Sequence, residues 1–208
     1  MQDAFIGNWS CESHLSGEYL NSMRDLNHRF LDLADARAND RAAAGWDGAT
    51  AALGRAVAPL SRSQRAAAAK CPYALFDLRF EDEAHWKGRL LNAESWRIAD
   101  APGVDADTVD FVRLALFFAW HVASGTGHAA HLLMGMRSDT ATAFRRITVD
   151  ALPSLVATEA VNLTARWNGC SAFWSALISA ASRADAAALR RVQLSGLQLA
   201  AAARLPSG

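Results

Sequence analysis

Cysteine is scarce in this chain. Cys11, Cys71 and Cys170 make an odd count of 3 with no CxxC spacing, which argues against a disulfide scaffold or a zinc ribbon and points to a reducing compartment. Long apolar runs are lacking too. The longest strongly apolar stretch, LALFFAW at residues 114–120, is far shorter than the roughly 20 residues that span a bilayer. The opening MQDAFIGNWSCESHL has neither the basic start nor the apolar centre of a secretory signal. A cytoplasmic protein without a membrane partner is expected, and the sequons at Asn8 and Asn162 are then chance matches.

An excess of either charge is also missing. Lys plus Arg and Asp plus Glu number 21 each, so no global positive field attracts a phosphate backbone. DNA contact is expected only indirectly, and the pairs Arg145/Arg146 and Arg190/Arg191 read as solvated helix faces. The motifs of several common chemistries are absent: there is no GxSxG turn, no glycine-rich phosphate loop and no HExxH. The chain is accordingly read as non-enzymatic, with no cofactor.

What the sequence does have is alanine, in runs such as Ala66–Ala69 and Ala200–Ala203, within a chain that is 51% apolar. Alanine favours helices and is depleted from strands, so the expected class is all-α. At 208 residues the chain can bury a substantial core. Apolar residues Leu20, Met23, Leu26, Phe30, Leu31 and Leu33 recur at helical spacing between Glu18 and Arg37. A short helix over 49–57 stops at Pro59, and Ser61 with Gln64 forms a capping box that opens a helix over 62–70. The alternation in YALFDLRF, residues 73–80, suggests a strand or an extended connector. A helix over 82–95, a linker over 100–107 and a strongly apolar helix from Thr108 follow. SGTG at 124–127 interrupts that helix and Gly135 closes it. A helix from Asp139 to Arg145 is expected to be capped by Ser138 or Asp139, and the next opens at Thr148 or Asp150 with Pro153 early in it. Helices over 170–181 and 184–203 complete the reading.

Sliding the chain by 87 positions sets Leu60 on Ile147, Ser61 on Thr148, Gly48 on Gly135, Arg79 on Arg166 and Phe80 on Trp167. A glycine breaker, a hydroxyl helix start and an Arg-aromatic end thus recur in one register. The order of an apolar helix, LLMGM, a short helix, ITVDALPSLVA, NLTARW and the final LRRVQLSGLQLAAAARL resembles the FlhD family of bacterial flagellar transcriptional regulators. The resemblance spans residues 112–205 and, more faintly, 26–80. It implies two FlhD-like helical units, 1–100 and 101–208, packed as a pseudo-dimer within one chain. It further implies a protein partner, a role in transcriptional control and scope for further oligomerisation. Some family members carry a subunit-linking cysteine before the arginine; the matching positions here are Phe76 and Leu163, so that bridge is not expected.

The alternative is a metal-dependent helical-bundle enzyme. His121, His128 and His131 would share one helix face if the helix were unbroken, with Glu159 or Asp150 supplied by a neighbouring helix. SGTG stands against that geometry. Glu81, Asp82 and Glu83 beside His85 read more simply as acids at a helix N-terminus than as acid-base machinery. Arg79 and Arg166 are expected to form ion pairs with Asp77, Asp82 or Glu159, and the tryptophans to anchor the core or an interface.

Overall fold

The apolar stripe of the first helix, α1 (Gly17–Arg37), buries Met23, Leu26, Phe30, Leu31 and Leu33. The computed structural model describes residues 17–38, 48–91, 104–125 and 127–202, and over these the protein is all-α. After α1 come α2 (Gly48–Val57), α3 (Arg62–Ala68), α4 (Glu83–Leu91), α5 (Ala106–Gly125), α6 (Gly127–Met134), α7 (Ser138–Arg146), α8 (Leu152–Glu159), α9 (Ser171–Ser182) and α10 (Ala186–Ala202). The described residues hold a single small ribbon, in which β1 (Phe76–Asp77) pairs antiparallel with β2 (Thr164–Ala165). None of the described helices is long and apolar enough to cross a membrane.

α5 is the central element and packs on α1, α6, α7 and α8. It buries Phe111, Val112, Ala115, Leu116, Ala119, Val122 and Ala123, more than one face, which explains why its sequence reads as nearly continuous apolar residues. α1 runs antiparallel to it: Tyr19 stands edge-on to Phe118 and His121 near the end of α5, while Arg37 pairs with Asp105 just before its start. α2 comes close to α1 because Gly54 has no side chain; a Cβ there would strike the carbonyl of Ala34.

Most local signals act as expected. Ser61 Oγ accepts from Gln64 N, and Gln64 Oε1 accepts from Ser61 N at 2.8 Å. The helix break falls within SGTG, between α5 and α6. Gly135 takes φ +77° and its N–H donates to His131 O at 2.8 Å, the left-handed termination that glycine permits. Two expectations fail. At the start of α7 the N-cap position is Arg137, with no side-chain capping bond, so neither Ser138 nor Asp139 caps it. Thr148 likewise precedes a 3₁₀ turn, 149–151, without a capping bond, and α8 starts only at Leu152. Of the two readings of YALFDLRF, the extended connector holds: Tyr73, Ala74, Leu75 and Phe76 are all buried, so the segment threads the core and only residues 76–77 pair. The far end of the expected 82–95 helix and residues 100–103 of the expected linker lie outside the described residues, and 106–107 of that linker already belong to α5.

The threaded segment is held by one polar side chain within the stripe of α1. Asn27, fully buried, donates from Nδ2 to the carbonyls of Ala69, Cys71 and Tyr73 at 3.3, 3.2 and 2.8 Å, and its Oδ1 accepts from Leu75 N at 2.8 Å. These bonds satisfy extended backbone that lacks a sheet partner.

Candidate functional site

Two helix junctions flank the ribbon, and they differ in how they are filled. At the first, α4 packs on α7. Trp86, fully buried, stacks on Phe80 at 5.8 Å and meets Phe144 edge-on at 4.7 Å. The rim of this junction is latched by Lys87 Nζ to Asp139 Oδ2 at 2.8 Å and Arg137 Nε to Glu83 Oε1 at 2.8 Å. Such exposed pairs add little energy each but fix the register of the two helices.

At the second junction, α2 faces α9 across an open groove of about 490 Å³. Its walls are Ala49, Ala52 and Ala56 on α2 and Ser171, Ser175 and Ile178 on α9, with Trp174 and Ala165 at its base. Neither helix carries a carboxylate. α2 carries Arg55, and Arg183 ends α9, its Nη1 donating to the Oγ of Ser179 on the groove wall. The result is a trough of small and apolar residues between two helices that carry arginine and no carboxylate. A volume of this size falls in the range of built binding sites.

The histidines named from the sequence do not converge. His121 sits edge-on to Tyr19, with ring centroids 5.5 Å apart. His131 holds its Nδ1 2.7 Å from the carbonyl of Met136, and His128 lies exposed at the start of α6. Among the described residues no three His, Cys, Asp or Glu side chains could share a metal ion. Asp150 is exposed on the 3₁₀ turn.

Glu159 serves a different purpose. Fully buried at the end of α8, it meets His85 Nε2 at 2.8 Å, Asn162 Nδ2 at 2.8 Å and Arg89 Nε at 2.9 Å. This cluster pins α8 to α4, and it engages the sequon asparagine Asn162. Asp82 Oδ1 accepts from His85 N at 2.9 Å, so the acidic run does begin a helix; that backbone bond, with Arg79 beside it, lowers the Asp82 pKa.

Arg79 forms its expected ion pair, with Asp82. Arg166 forms none among the described residues. It is buried, its Nη1 donates to Leu133 O at 3.4 Å, and its guanidinium lies 4.7 Å from the ring centre of Trp167. Burial lowers its pKa, but it sits against the C-terminal carbonyls of α6, where the helix dipole favours a cation, and it fills the space a side chain on Gly135 would need. Partly buried Asp77 lies in the same region, its pKa raised by desolvation. Burial of Cys71 pushes its thiol up to about 12, leaving it an inert core residue. Phe76 and Leu163 are fully buried.

Sequence reasoning missed the groove. The signal was available in the small residues at positions 49, 52 and 56 of α2 facing Ser171 and Ser175 of α9, a pattern that cannot close a helix pair tightly. No family model matches the chain, and no curated protein or solved structure is significantly similar to it.

Proposed function

We propose that this protein is a single-chain pseudo-dimer of two FlhD-like helical units that acts by binding another protein, in the cytoplasm and in the control of transcription. DNA would be reached through the partner. The observation that carries the reading is the ribbon. Phe76 pairs with Ala165 and Asp77 with Thr164, while Phe76 and Thr164, and Asp77 and Ala165, each lie 88 residues apart. Each residue thus faces the counterpart of its neighbour, the exchange expected of two equivalent strands about a twofold axis. Local geometry repeats as well. Arg79 and Trp167, also 88 apart, take φ of 58° and 52°, and Trp86 and Trp174, again 88 apart, each donate an indole N–H at 2.9 Å to a carbonyl of this turn, that of Arg79 in one and that of Arg166, one residue before the counterpart position, in the other. Joining the units in one chain encloses apolar faces that separate copies would have to shield by pairing.

Balanced charge favours partner-mediated over direct DNA contact. The test is genetic and biochemical together. Removing the gene in its host should change transcript levels, and the full chain should restore them. The purified chain alone should not retain DNA at physiological salt. Unchanged transcripts would defeat the regulatory reading, and tight DNA retention by the chain alone would defeat the indirect one.

A further inference from the structure

We propose that the α2/α9 groove is the docking slot for one acidic, phenylalanine-bearing segment of a protein partner, taken up one copy per chain. The inference rests on the pseudo-dimer reading, because its argument compares the two junctions position by position. Through the ribbon and the helix after it the structure sets counterparts 88 residues apart, one more than the 87-position slide of the sequence, so Phe80 answers to Asn168 and not to Trp167; Trp86 answers to Trp174 and Lys87 to Ser175. Through α2 and α7 the caps Ser61 and Thr148, 87 apart, set the register, so Asp139 answers to Ala52.

At the α4/α7 junction the Trp86 indole is covered by the Phe80 ring, and the Lys87–Asp139 pair closes the helices above it. At the groove every one of those filling groups is replaced. Asn168 stands where the phenylalanine would be, and Ala52 and Ser175 stand where the ion pair would be; all three line the open space beside Trp174. The molecule itself therefore displays what fits: an aromatic ring laid against the indole. Charge narrows the occupant further. Arg55 is exposed on α2, a helix free of carboxylates, while Arg183 at the end of α9 donates to Ser179 and has Asp185 as its neighbour; Arg55 therefore favours an incoming segment with Asp or Glu beside its aromatic residue. The other junction, already filled and latched, has no place for a second copy.

The test is selection of a phage-displayed library of random short peptides on the immobilised full chain, followed by calorimetry with the enriched peptides. Enrichment of sequences placing Phe or Trp among Asp and Glu is expected, with one peptide bound per chain and affinity falling as salt rises. Ala52→Asp with Ser175→Lys rebuilds the latch from two exposed positions. It should weaken binding by about tenfold or more, as should Ala52→Arg alone, by steric block. Arg55→Glu should weaken it several-fold, and Arg113→Glu on α5 should leave it unchanged. No enrichment, peptides lacking the aromatic-acidic pattern, two bound per chain, or binding indifferent to the rebuilt latch would each overturn the proposal. Failure here with transcripts still responding to the gene removes the groove assignment alone; unchanged transcripts with intact peptide binding remove the regulatory role alone.

Discussion

Replacing Asn27 tests the account of how the core is held. Asn27→Ala removes three bonds to the carbonyls of Ala69, Cys71 and Tyr73 and one from Leu75 N. The stranded N–H carries the largest penalty, about 1–3 kcal/mol when buried without an acceptor, and the carbonyls add smaller amounts because each has a second lone pair. The expected total is about 4 kcal/mol, a large share of the ~5–15 kcal/mol stability of a typical domain. With a urea slope of about 2 kcal/mol per molar, the unfolding midpoint followed by circular dichroism should fall by about 2 M. Asn21→Ala, one and a half turns earlier on the exposed face, should change stability by less than about 0.5 kcal/mol. Asn27→Asp adds a pH signature. Its carboxylate would face three carbonyl oxygens, raising its folded pKa above the unfolded one, so the variant should be least unstable in acid and lose stability as pH rises. A midpoint shift below about 0.5 M for Asn27→Ala would show that water or rearrangement satisfies the 69–75 backbone, and the clamp would be discarded.

Further outcomes follow from the same contacts. Gly135→Ala places a side chain at φ +77° and against the Arg166 guanidinium; a loss of about 2–3 kcal/mol in thermal unfolding is expected, and a variant as stable as the parent would count against the packing described. Phe144→Ala opens the filled junction beside Trp86 and should cost about 3–5 kcal/mol, measured by urea titration, whereas a cost below 1 kcal/mol would mean the ring is not the plug it is taken to be. Asp77 has a raised pKa because of burial, so the parent gains stability on acidification and loses it as pH rises through that value. Asp77→Asn removes this dependence, so its stability relative to the parent should be higher at pH 7 than near pH 4; a relative stability that instead rises on acidification contradicts the assignment.

Short-range signals carried most of the helix map. The stripe from Met23 to Leu33, the Ser61 capping box, the SGTG break and the left-handed Gly135 are read from residues within one or two helical turns of each other, and such interactions survive whatever the rest of the chain does. Signals failed where a competing partner is distant in sequence. YALFDLRF alternates like a surface strand, yet the core encloses both of its sides because Asn27, more than 40 residues earlier, supplies the hydrogen bonds a sheet would have provided. Arg166 carries no mark that its charge will rest on the end of α6 rather than on a carboxylate. Glu159 is similarly silent about His85, which lies 74 residues away.

By itself, then, the sequence determined the all-α class and the placing of most helices, since propensity, capping and periodicity act locally. Tertiary structure decided which polar groups are buried together and which of the two junctions beside the ribbon closes. Closure depends on summed side-chain volume and charge across helices far apart in the chain: Phe80, Phe144 and the Lys87–Asp139 pair fill one, while alanine and serine leave the other open. No window along a single segment contains that sum.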